Sequence, residues 1–150
     1  MQTYLLCTIH GERFAFDVEK VDEVVRMPWV TEVTETPIDV HGIINFRGSS
    51  IAVVDPAFRL CGEGTESGLD SFLVIVQLDA DQVALIVDGV ENLVEATPKP
   101  APTEAATPSF VRGHFDDGQG LTTVVDVAEL LRADVQDFVA HARESTVPPP

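Results

Sequence analysis

Short apolar runs of strand length recur along the whole chain: "TYLLCTI", "RFAFDV", "VDEVVRM", "GIINF", "SIAVVD", "FLVIVQL", "QVALIVD", "GVENLVEA", "FVRGHF" and "LTTVVD". They are rich in Val, Ile, Leu and Phe, which pack well on a pleated surface. His10-Gly11-Glu12 splits the first pair, Asp79-Ala80-Asp81 splits the pair within Phe72–Asp88, and Asp116-Asp117-Gly118 splits the last pair. Runs joined by a few Gly or Asp residues predict hairpins, and hairpins in series predict a small barrel or sandwich.

One long stretch has a helical period instead. From Asp126, "DVAELLRADVQDFVAHARE" puts Val127, Leu130, Leu131, Val135, Phe138 and Val139 on one face at 3/4 spacing. Asp126 is placed to cap this helix, with Glu129 completing a capping box. A shorter helix is expected at Pro56–Leu60, capped by Asp55, opened by Pro56 and ended by Gly62.

Two segments read as loops. "LCGEGTESGLDS" has three glycines among small polar residues and divides the chain near its middle. "ATPKPAPTEAATPS" has four prolines and no large apolar residue, so it runs over the surface. About ten strands broken at mid-chain predict a mostly β fold of two small barrels in one unit. The tail "STVPPP" cannot continue a helix. The domain is therefore placed at 1–144, with a disordered Pro-rich end at 145–150.

The 150 residues suit one domain that buries about two-thirds of its unfolded surface. Charge changes the list of partners. Nine Lys and Arg against 25 Asp and Glu give −16, and Arg26, Arg47, Arg59, Arg112 and Arg132 are scattered. Nucleic acid and anionic membrane are repelled by that balance, so proteins are the expected partners. No run approaches the roughly 20 apolar residues of a membrane span, and "YLLCTI" is too short for a signal core. A soluble cytoplasmic protein without direct membrane insertion is expected. Cys7 and Cys61 have apolar neighbours and read as buried free thiols.

Catalytic chemistry finds little support. "IAVVD", "ALIVD" and "TTVVD" end at Asp55, Asp88 and Asp126, and three terminal carboxylates raise the question of a metal or an acid pair. Yet Asp55 and Asp126 each precede a helix start, where a carboxylate accepts from backbone N–H groups, and Asp88-Gly89 is a turn dipeptide. The echo suggests repeated architecture. His10, His41, His114 and His141 fall at no metal-ligand spacing, Ser49 and Ser50 lack a nucleophile elbow, and "CGEGTESG" lacks the Lys of a phosphate loop. No cofactor is expected.

Arg47 stands out. In "INFRGSSIAVVD" an arginine and a glycine separate two apolar strands, so Asn45, Gly48 and the serines form a turn. An arginine at a turn is either a solvated charge or a contact, because its guanidinium forks into carboxylates and stacks on rings. Glu23, in "VDEVVRM", is a candidate partner within the chain.

At these residues the chain resembles the CheW family, the cytoplasmic adaptors of bacterial chemosensory arrays. The resemblance covers roughly Thr3 to Arg132 and rests on four ordered motifs: "GERFAFDVEKVDEVVRM", "VTEVTETPIDVHGIINFRGSSIAVVD", "ALIVDGVENLVEA" and "FVRGHFDDGQGLTTVVDVAELL". It implies two intertwined five-stranded SH3-like barrels with a C-terminal α-helix. It also implies a non-catalytic scaffold coupling the cytoplasmic tip of chemoreceptors to a CheA-type histidine kinase, through the kinase's regulatory domain. Arg47 and Gly48 match the family's "N-x-R-G" turn, Glu23 matches its acid, and Gly42 and Phe46 flank the same strand. Apolar positions of the first barrel, such as Val21 and Ile43, are kinase-facing candidates, with core burial as their other role.

The departures are specific. Phe46 replaces a usual Leu, Ala52 a common Pro, and Pro56 a usual Leu, while "SSI" makes the exit from the Arg47 turn more polar. Two rivals remain. The same fold also occurs as the regulatory domain of a larger kinase or a receiver fusion, although a free-standing adaptor is expected here. A small carboxylate-based enzyme or ligand-binding barrel would use Asp55, Asp88 and Asp126.

Overall fold

In the computed structural model, the described residues are 1–33, 36–64, 71–101, 107–131 and 133–142, the side chains of 133 and 134 excepted. The expected tail and Glu144 lie outside them. The chain forms β1 (Gln2–Ile9), β2 (Glu12–Asp17), a 3-10 turn (Val18–Lys20), β3 (Val21–Arg26), β4 (Val40–Phe46), β5 (Ser49–Val54) and α1 (Ala57–Leu60). Then follow β6 (Phe72–Leu78), β7 (Asp81–Val87), β8 (Gly89–Ala96), β9 (Lys99–Pro100), β10 (Val111–Asp116), β11 (Leu121–Val125), α2 (Val127–Leu130) and α3 (Ala133–Ala142). All ten apolar runs are strands.

They build two sheets, in the orders β8-β1-β2-β11-β10-β9 and β3-β6-β7-β5-β4. In each, two antiparallel pairings lead to one parallel pairing, β11 on β2 and β5 on β7, and then to an antiparallel hairpin, beyond which β9 pairs with β10 in the six-stranded sheet. The third strand of each half crosses over: β3 follows β2 yet pairs with β6, and β8 follows β7 yet pairs with β1. This exchange intertwines the two SH3-like barrels.

The core follows from that exchange. Along β6, Leu73 and Ile75 join Ile44, Ile51, Val53, Ala84 and Ile86 inside one barrel. The alternate residues Val74 and Val76 join Leu5, Cys7, Phe14 and Phe16 of the other sheet in a larger shared cluster. Strands buried on both faces need continuous apolar sequence, which accounts for "FLVIVQL" and "QVALIVD".

The two halves also repeat at a constant offset. Val40 N–H donates to Pro37 O and Asp55 N–H to Asp39 O, as Val111 N–H donates to Pro108 O and Asp126 N–H to Phe110 O. Both final hairpins carry a register shift at a glycine, Gly42 and Gly113. A Cβ at Gly42 would stand 2.4 Å from Thr31 O, and one at Gly113 2.3 Å from Lys99 O. The apparent three-fold echo is thus a two-fold repeat pairing Asp55 with Asp126, and Asp88 belongs to a different turn.

Three expectations are corrected. The helix from Asp126 is two helices, because Leu131 adopts φ −83°, ψ 124° and ends the first. The break lets the adjacent Leu130 and Leu131 both bury, and Gln136 Nε2 donates to the freed carbonyls of Ala128 (2.9 Å) and Leu131 (2.7 Å). The capping box is half formed: Asp126 Oδ1 accepts from Glu129 N–H, but the Asp126 N–H goes to Phe110 and not to the Glu129 side chain. One sheet gains a sixth strand, β9, inside the Pro-rich segment. Proline is compatible with a sheet edge, where no outward donor is required.

Candidate functional site

The β4–β5 hairpin closes with Phe46 opposite Ser49, leaving Arg47 and Gly48 as its two-residue loop. Both have positive φ, 51° and 85°, the geometry of a type I′ turn whose twist matches the flanking strands. Asn45 Oδ1 accepts from Gly48 N–H at 3.1 Å and braces the turn. Glycine suits such positions and arginine does not, since its Cβ crowds the backbone at positive φ.

The turn holds Arg47 where β3 and β4, the two edges of the five-stranded sheet, face one another. Arg47 Nη2 donates to Glu23 Oε1 at 2.6 Å, and the guanidinium carbon lies 5.0 Å from the Phe46 ring centroid. Arg47 nevertheless remains 71% exposed, against 32% for Glu23. The sequence-predicted pair of Arg47 and Glu23 therefore meets, with Phe46 as its platform. Glu23 follows a register shift in β3 that leaves Asp22 outward, accepting from Gln82 Nε2 at 2.7 Å.

The other named residues sit differently. Gly48 supplies the second turn position. Gly42 lies at the bulge against Thr31 and Val30, where close approach of the chain demands glycine. Val21 packs partly buried on the shared core, and Ile43 is buried within it.

The second barrel closes by other means. Arg13, on β2 and only 12% exposed, reaches Asp117 at 2.8 Å and Glu91 at 3.6 Å, linking the β10–β11 turn to β8. Here the cation is internal and the turn supplies an acid. The first barrel has the cation outside.

The three aspartates do not converge on one task. Asp55 Oδ1 accepts from Ala57 N–H (3.1 Å) at the start of α1, and Asp126 does the same for α2. Asp88 Oδ2 accepts from His10 N–H (2.6 Å), bracing the β1–β2 turn. Burial alone would raise the Asp126 pKa, but the Arg112 guanidinium and the N–H groups of Glu129 and Ala128 together hold it below the usual carboxylate range. Among the described residues, no group of His, Cys, Asp and Glu gathers as a metal site. Cys7 is buried, but Cys61 is only half-buried, its Sγ–H donating to Glu12 Oε2 at 3.3 Å. Burial pushes both thiols up to about 12, helped at Cys7 by the charge of Glu91 and at Cys61 by the Glu12 hydrogen bond.

Residues 3–135 match the model of the CheW-like domain. The chain belongs to this family. It is 25% identical over 149 residues to the chemotaxis protein CheW of Klebsiella aerogenes, covering 96% of this chain and 90% of that protein. With CheW of Rhizobium meliloti it shares 27% identity over 110 residues, 70% of this chain and 71% of that protein. The crystal structure of the scaffolding protein TtCheW from Thermoanaerobacter tengcongensis aligns with a TM-score of 0.78 and 26% identity, covering 89% of each chain. The CheW-like fold, the family match and these relatives agree on a chemotaxis scaffold. No helix among the described residues is long and apolar enough to cross a membrane.

Proposed function

We propose that the chain is a non-catalytic adaptor that binds the cytoplasmic tip of a chemoreceptor and the regulatory domain of a CheA-type histidine kinase, with Arg47 as a contact residue. One observation carries the choice of residue. Arg47 occupies a left-handed turn position that glycine would fill without strain, and it stays largely open to solvent. His10 and Asp79 share this φ of 51° in their own tight turns, so what singles out Arg47 is its exposure beside Glu23 and the Phe46 ring. An exposed ion pair contributes only about 0–1 kcal/mol, so closing the barrel does not account for it. Glu23 sets the arginine's direction and Phe46 supports its face, leaving most of its donors free for a partner carboxylate or ring.

The family is one of non-catalytic adaptors, and the aspartates that suggested an enzyme each serve a backbone N–H. Gly48 and Gly42 support the surface through backbone geometry. Val21 stands two residues before Glu23 on β3 and packs on the shared core.

Titration calorimetry of the chain against a CheA-type regulatory domain and a chemoreceptor tip fragment from the same organism, at low and physiological salt, tests the role. Saturable micromolar or tighter binding to both is expected, weakening as salt rises because a chain of −16 is drawn to basic groups on its partners. Absence of binding to both at either salt refutes the adaptor assignment.

A further inference from the structure

The interior of the second barrel is apolar at one end, where Tyr4, Leu6, Ala15 and Val124 pack together, and polar at the other. Side chains alternate between the two faces of a strand. Thr8 therefore shares the inner face with Tyr4 and Leu6, Arg13 with Ala15, and Thr122 with Val124. The pairing registers set Gly89, Thr8, Arg13, Thr122 and Phe115 in one row across β8, β1, β2, β11 and β10. Arg13, whose guanidinium meets Asp117 and Glu91, stands at the centre of that row.

Two neighbouring atoms of the row lack partners. Arg13 Nε and Thr122 Oγ1 are both buried, and neither has a hydrogen-bond partner among the described residues. Thr122 is fully buried. Glu91 Oε2 stands 3.6 Å from Arg13 Nε, too far for a hydrogen bond. The 2.8 Å bond to Asp117 is made by Nη2 instead. Buried polar groups are nearly always paired, with protein or with ordered water, because an unmade bond costs most where the surroundings are apolar.

We propose that Arg13 Nε and Thr122 Oγ1 bind an ordered internal water, which completes the clamp by which Arg13 closes the second barrel. The chemistry of the row selects this ligand. Arg13 Nε–H can only donate, so its partner must offer a lone pair, and the guanidinium charge repels a cation. An anion would meet two carboxylates, Asp117 and Glu91, against one guanidinium. What fits is a small neutral molecule that both accepts and donates. Gly89 at the end of the row and Ala15 beneath Arg13 take up little of the space. Thr8 Oγ1, next to Arg13 in the row and 2.8 Å from where a Cβ at Gly89 would lie, offers the third partner that internal waters typically have. Through the water Arg13 reaches β11 as well as β8 and the β10–β11 turn, so the exchanged strand β8 is tied to the sheet it joins.

Two measurements on the full chain test this. A high-resolution crystal structure should show a water about 2.7–3.2 Å from both Arg13 Nε and Thr122 Oγ1. Thr122→Val keeps nearly the same shape and removes only the hydroxyl, so the sign of its effect decides. With the water bound, the change strips a partner from a buried network, and Tm should fall by about 2–4 °C. If the hydroxyl were instead dry and unpaired, its removal would relieve a penalty, and Tm would hold or rise. A Tm that holds or rises, or electron density with no water in reach of both atoms, overturns the proposal.

Discussion

Cysteine reactivity follows the thiolate, so a thiol held near 12 is nearly inert at neutral pH whether or not a reagent can reach it. Cys61 separates the two factors, being half-buried yet hydrogen-bonded to Glu12 and surrounded by carboxylates. At pH 8 the folded chain should alkylate at neither cysteine over a time that labels both after denaturation. Glu12→Gln should speed labelling at Cys61 and leave Cys7 unchanged. Mass spectrometry of iodoacetamide-treated protein reads both, and rapid labelling of native Cys61 would contradict the assignment. At this scale the sequence made the Arg47 turn and its Glu23 partner legible, because turn formers and charge stand out between apolar runs. It did not reveal the positive φ of Arg47, which depends on hairpin closure at Phe46 and Ser49.

Caps and close approaches act on whole elements. Asp126 caps α2 and also pairs with Arg112 from β10, so its lowered pKa couples acid to the integrity of the second barrel. A carboxylate depressed on folding stabilises the native state above its unfolded pKa, about 3.9. That stability is lost as pH falls through the lower folded value. Asp126→Asn should therefore melt lower than wild type at pH 7, with the difference shrinking as pH drops below about 4. Equal melting at pH 7 would contradict the pairing. Gly42 makes a separate case. Its added methyl would press on a backbone oxygen, so Gly42→Ala should cost about 1–3 kcal/mol, a fall of several degrees in thermal melting. An unchanged Tm would show that the chain at Thr31 yields freely. Element boundaries were legible where one period ruled, as in all ten apolar runs. They were not where tertiary contacts intervened: the break at Leu131 depends on two adjacent leucines finding one core, and β9 depends on its pairing with Gly113 and His114.

The exchange of β3 and β8 makes the molecule one cooperative object. Neither barrel contains its own third strand from its own half, and the largest apolar cluster lies between the sheets. Leu85, fully buried in that shared cluster, tests the point: Leu85→Ala should cost about 2–5 kcal/mol and lower one unfolding transition shared by both barrels. Two separate calorimetric transitions would contradict it. The two-barrel outline was legible from strand count and the mid-chain break, whereas the intertwining was legible only through the family resemblance, since no local pattern tells a strand which sheet it joins. The claim that ties these scales together is that the chain presents Arg47 to a partner from a turn that does not need it for folding. Calorimetric titration of Arg47→Ala against the chemoreceptor tip fragment, with melting of the same sample, tests it most directly. The account predicts binding weakened roughly tenfold or more at a Tm within about 4 °C of wild type. Wild-type affinity, with or without a large fall in melting temperature, would contradict it.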